Sequence, residues 1–65
     1  MCQMSIVLKQ GSHETVVLEN AARLEATDEG IVVNALFEPP KLIPGVVVSG
    51  IDFLHGRVTV TKKER

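Results

Sequence analysis

Apolar and polar residues alternate with a period of two along most of this chain, starting almost at its beginning. From Ser5 to Lys9, Ile6 and Leu8 fall on one side and Val7 on the other, the pattern of a strand. Gln10, Gly11 and Ser12 supply turn chemistry, and Thr15 to Glu19 reads as a second short strand. The segment from Ala21 to Thr27 has helix-forming composition but is too short for a stable helix, so Arg23 to Ala26 is read as a strand. Asp28, Glu29 and Gly30 mark a turn. After it, Ile31 to Phe37 is apolar at nearly every position, which predicts a strand buried on both faces.

Pro39, Pro40 and Pro44 remove hydrogen-bond donors, so Glu38 to Gly45 is expected to be a loop or an irregular edge. Val46 restarts a strand that runs through Phe53 with a bend at Gly50. His55-Gly56 then separates two alternating runs as a tight hairpin turn would. On the last strand Val58 and Val60 face inward and Thr59 and Thr61 outward, while residues 62–65 read as a solvated, frayed tail. Five or six short strands with no long helix predict one all-β domain over residues 1–65: a small barrel or rolled antiparallel sheet of SH3-like size, in meander order.

Composition sharpens this picture. The chain has 65 residues, no Trp or Tyr, and Phe37 and Phe53 as its aromatics, so the core must be built from Val, Leu and Ile. A domain this small buries only about 60% of its unfolded surface, and one cysteine cannot form an internal disulfide. The apolar residues of Ile31 to Phe37 and Val46 to Val48 exceed what so small a barrel holds, which points to a homodimer. Seven basic and eight acidic side chains leave a formal charge of −1, with no electrostatic footprint for nucleic acid. A single cysteine and the lack of a continuous apolar leader predict a cytoplasmic protein with no membrane association.

The candidate chemistry lies in Met1-Cys2-Gln3. Removal of the initiator methionine before a small side chain would leave Cys2 with its α-amine and thiol on one framework. Together they can close a five-membered chelate, since their free pKa values are roughly 8 and 8.5. A deprotonated Gln3 amide nitrogen would add a third planar donor. Planar nitrogen and sulfur donation suits Ni(II) first and Cu(II) second, whereas zinc wants a tetrahedral cage. His13 and His55 lie in or beside predicted turns and read as solvated. Met4 reads as core filling, and a Met1 thioether would favour Cu(I). Asp52, between Ile51 and Phe53, is expected to point to solvent. Scattered carboxylates and the lack of a nucleophile–base pattern or phosphate loop give catalysis no foothold, so the protein is not expected to be an enzyme.

Several features occur in one order: the Met1-Cys2 start, the strand Ile6 to Leu8, the Val32 to Phe37 run ending in Leu-Phe, Gly45 before a valine-rich strand, and Ile51-Asp52 ahead of the last hairpin. In this order the chain resembles the CooT family of small nickel-binding proteins associated with maturation of carbon monoxide dehydrogenase. The resemblance implies a β-rich homodimer in which Cys2 of each chain binds one shared Ni(II) for delivery to the apo-form of that enzyme or a relative. Only Cys2 carries over as a side-chain ligand. The alternative is a metal-free small barrel that binds RNA or protein. Two phenylalanines and a negative balance are poor material for RNA recognition.

Overall fold

The computed structural model describes residues 4–63. Six strands follow in order: β1 (Met4–Gln10), β2 (His13–Ala26), β3 (Gly30–Ala35), β4 (Lys41–Pro44), β5 (Val46–Asp52) and β6 (Arg57–Lys62). No helix is present among the described residues, and none is therefore long and apolar enough to cross a membrane. The strands form one sheet in the order β4-β3-β2-β1-β6-β5.

The expected meander holds from β1 to β4 and then breaks. Strands β4 and β5 occupy opposite edges of the sheet although only Gly45 separates them in sequence. In a flat six-stranded sheet, five spacings of about 4.8 Å would hold the edges about 24 Å apart, far beyond the reach of one residue. The sheet therefore curls into a half-barrel until its edges meet. Gly45, at φ 73°, is clasped there: its N–H donates to the Glu29 carbonyl and its carbonyl accepts from the Lys63 N–H, both at 2.8 Å. Beyond that crossover β6 returns beside β1 in parallel, from Ser5↔Arg57 to Lys9↔Thr61. The sheet is thus mixed rather than wholly antiparallel.

The two short strands expected between Thr15 and Ala26 are one 14-residue strand. Its first half pairs with β1 and its second with β3, with register shifts on both ladders around Ala21. Asn20 sits at the bend with φ 63°, a conformation that Asn tolerates better than most side chains because its short amide can bond locally. Alternation alone could not separate one bent strand from two straight ones.

The core is aliphatic, as the composition requires. Ile6, Ala21, Ile31, Val33, Val46, Val58 and Val60 are buried together, with Met4, Leu8, Leu18, Leu24, Ile43 and Val48 packed against them. Val7, on the other face of β1, is also buried but stands outside this cluster. Val58 and Val60 point inward as expected, and the register slips between Val48 and Gly50 where the bend was expected.

Two further expectations need correcting. The Ile31 to Phe37 run is not buried on both faces: Ile31 and Val33 are buried, the strand stops at Ala35, Leu36 is exposed, and Phe37 is 102% exposed. Phe37 has φ 66° in the turn, where the Glu38 N–H donates to the Ala35 carbonyl at 3.3 Å. For a bulky side chain the left-handed region costs roughly 1–2 kcal/mol. The expected tail also begins too early, because Lys62 pairs with Val46 and Lys63 donates to Gly45. The proline segment behaves as expected, forming the four-residue edge strand β4.

Candidate metal centre

Cys2, the expected ligand, lies outside the described residues, as do Met1 and Gln3. What the structure fixes is the place where the chain enters the sheet. Met4 pairs with Ala21, and Ala21 in turn pairs with Ala35 on the far side of β2. On the other flank, the Ser5 N–H donates to the Gly56 carbonyl at 2.8 Å. The start of β1 is therefore bracketed by the β2 bend and the turn between β5 and β6.

That turn spans Phe53 to Gly56, longer than the two-residue hairpin expected at His55-Gly56. Asp52 shapes it. One carboxylate oxygen, Oδ1, accepts the His55 backbone N–H at 3.1 Å, and the other, Oδ2, lies 2.8 Å from His55 Nδ1. Asp52 does reach solvent, as expected, but it is not idle there. The His55 ring, followed by the His55 backbone N–H, holds its carboxyl below the ordinary 3.8. With a carboxylate on Nδ1, the neutral imidazole carries its proton on that nitrogen and leaves the Nε2 lone pair free. This is the carboxylate–imidazole arrangement that orients metal-ligating histidines. The signal in the sequence is the spacing Asp52-x-x-His55 across a turn, which strand alternation masks by aiming Asp52 away from its neighbours.

His13 has no such support. It opens β2 opposite Gln10, at the other end of β1 from Ser5 and Gly56. With a rise of about 3.3 Å per residue, five residues of strand hold the two histidines' surroundings roughly 17 Å apart, too far to share an ion. Met4 packs against the core, the role its position suggested. Among the described residues no three His, Cys, Asp or Glu side chains converge into a metal-binding group. A centre that uses His55 would need donors from the chain start or from another molecule.

Comparison with known proteins agrees with this architecture. A crystal structure described as CooT from Carboxydothermus hydrogenoformans superposes with a TM-score of 0.85, covering 97% of this chain and 100% of that one at 22% identity. At that identity the likeness speaks for the fold. No curated protein sequence matches the chain. The family model for the CO dehydrogenase accessory protein CooT, however, matches residues 1–61, so the chain belongs to the CooT family of CO dehydrogenase accessory proteins.

Proposed function

We propose that this protein is a cytoplasmic nickel carrier rather than a catalyst. Ni(II) is its cargo, held by the Cys2 thiolate and the adjacent terminal amine, with one ion shared between the two chains of a homodimer. The recipient is the apo-form of carbon monoxide dehydrogenase or a related nickel enzyme. The reading rests on membership of an accessory family for that enzyme together with the Met1-Cys2 start.

The observation that carries it is the position of Ser5, whose N–H is bonded to an exposed turn at the rim of the sheet. Cys2 precedes Ser5 by three residues in the sequence, so the strand end that follows the proposed ligand stands at that rim. A donor near a rim can pass an ion by ligand replacement, whereas a caged site resists it. One thiolate per chain is too few for a sulfur-rich site, and a second chain supplies another. Metal binding drives the thiol proton off, so uptake should weaken as pH falls.

The test is a titration of purified protein with Ni(II), following thiolate-to-metal charge-transfer absorption, with intact mass reporting whether Met1 is present. One ion per two chains is expected, and none in Cys2→Ser. Undiminished stoichiometry in that variant would refute the assignment.

A further inference from the structure

Two lysines border one cleft on the outer face of the sheet, at the end remote from the start of β1. Lys9 pairs with Thr61 across the parallel ladder, and Thr61 pairs with Val47 on its other side, so β1, β6 and β5 run abreast there. Lys9 lies on the Val7 side of β1, and Thr61 alternates with the buried Val58 and Val60, so both side chains face away from the core. The β5 register slips between Val48 and Gly50, and Ser49, at the slip, donates its hydroxyl to the Thr59 carbonyl at 3.2 Å. The result is a cleft of about 590 Å³ lined by Lys9, Gln10, Gly11, Ser49, Thr61 and Lys62. Gly11 keeps its rim open: at φ 61° in the turn between Gln10 and His13, it has nothing within 4 Å of where a Cβ would stand.

We infer that this cleft binds a small polyanion, a molecule that carries two or more phosphate or carboxylate groups. Three observations select that class. Both charged side chains lining the cleft are ammonium ions, although the chain as a whole has a formal charge of −1. Neither is neutralised among the described residues: Glu14 stands opposite Lys9, yet the ion pairs formed are Arg23 with Glu25 and His55 with Asp52. The other donors fit the same class, since the Gln10 amide and the Thr61 hydroxyl border the cleft while the Ser49 hydroxyl is already engaged.

Size and geometry narrow the ligand further. Clefts of roughly 300–1,000 Å³ take small molecules rather than single ions, and two separate ammonium groups favour a ligand with two separate charges. Lysine is a compact charge with rotatable donors, so it accepts phosphate and carboxylate oxygens alike, without the planar match that arginine imposes. A single-stranded nucleic acid would want an aromatic platform, and Phe37 and Phe53 sit in turns outside the cleft. Lys9 is four residues along β1 from Ser5, roughly 13 Å at the strand rise, so the cleft stands apart from the chain start and does not depend on the nickel reading.

Amide NMR titration of the full chain at fixed ionic strength, with pyrophosphate, citrate and orthophosphate in turn, tests the site. Saturating shifts confined to Gln10, Gly11, Ser49, Thr61 and Lys62 are expected with pyrophosphate or citrate, and binding ~5-fold or more weaker with orthophosphate, which offers one anionic group. Lys9→Gln and Lys62→Gln should each weaken binding ~5-fold, the upper end for an exposed ion pair, and together ~25-fold if they act independently. Lys9→Arg keeps the charge and should retain binding. Lys41→Gln removes the same charge from β4, outside the cleft, and should leave the affinity unchanged. Saturation by pyrophosphate alone would identify a phosphoryl ligand and by citrate alone a polycarboxylate, and either supports the site. Shifts that spread over the sheet without saturating, or equal weakening in Lys41→Gln, would reduce the effect to diffuse attraction and overturn it. A single-stranded RNA that occupies the cleft more tightly than pyrophosphate would overturn it as well, in favour of a nucleic-acid backbone.

Discussion

Asp52 and His55 are joined twice, once through the backbone N–H and once through the imidazole, and the two bonds together close the turn on which the start of β1 rests. The carboxyl is held below 3.8 because both bonds favour its ionised form. A depressed acid stabilises the fold above its unfolded pKa, and that contribution is lost as pH falls through the lowered folded value. The turn should therefore hold from neutral pH down past 3.8 and loosen only below it. Carbon-detected NMR titration of the Asp52 carboxyl is expected to show a midpoint under 3.8 that returns toward it in His55→Ala. An unchanged midpoint in that variant would show that the imidazole does not hold the carboxylate.

Asn20 gives β2 its bend. Because its φ is 63°, replacement by glycine should be neutral or slightly stabilising, whereas Asn20→Val should cost about 1–2 kcal/mol by forcing a branched side chain into the left-handed region. Urea unfolding separates the two. Equal losses in both variants would mean that the Asn20 side chain, and not its backbone conformation, matters at the bend.

Nickel should stabilise the folded protein through linkage if it binds only the native dimer. At a free concentration of 100 Kd the gain is about 2.7 kcal/mol. At about 4–8 °C per kcal/mol for a domain of this size, the thermal midpoint should rise by roughly 10–20 °C. Cys2→Ser should show no rise. Calorimetric scans with and without Ni(II) at fixed protein concentration measure both, and an equal rise in the two proteins would place the ion elsewhere.

Strand positions were legible in the sequence wherever period-two alternation was strong: β1, β5 and β6 fall close to where Ile6/Leu8, Val46/Val48 and Val58/Val60 put them. The topology was not. Nothing in local pattern says that β6 pairs with β1, because that pairing depends on an edge-to-edge crossing at Gly45, whose bonds to Glu29 and Lys63 join residues distant in sequence. The burial of Ile31 to Phe37 is overstated by local pattern for a related reason. Hydrophobicity reports a wish for burial but not the partner, and Leu36 and Phe37 keep theirs exposed in a single chain. At the candidate site, Cys2 rests on chemistry alone and lies outside the described residues, whereas the Asp52–His55 pair is hidden from the sequence because a four-residue turn, not a strand, sets its geometry.

Gly30 offers the sharpest test of how the half-barrel closes. It opens β3 opposite Pro44 at φ 154°, with its N–H shared between the Thr27 carbonyl at 3.3 Å and Thr27 Oγ1 at 3.2 Å. A Cβ placed there would run into the Ile43 carbonyl oxygen and come within 2.7 Å of the Pro44 Cα, both rigid backbone atoms. Relief requires β4 to move off β3, and Gly45 next to it ties β4 to the Glu29 carbonyl and to the Lys63 N–H just past β6. Gly30→Ala should thus cost about 2–4 kcal/mol, a large share of a small domain's stability. Gly11 has φ 61° but open space around it, so Gly11→Ala should cost only about 1–2 kcal/mol, the backbone part alone. Denaturant midpoints of the two variants, at equal slopes, read the difference. Equal losses would mean that β4 yields freely at Gly30 and that the seam through Gly45 does not hold the sheet's edges together.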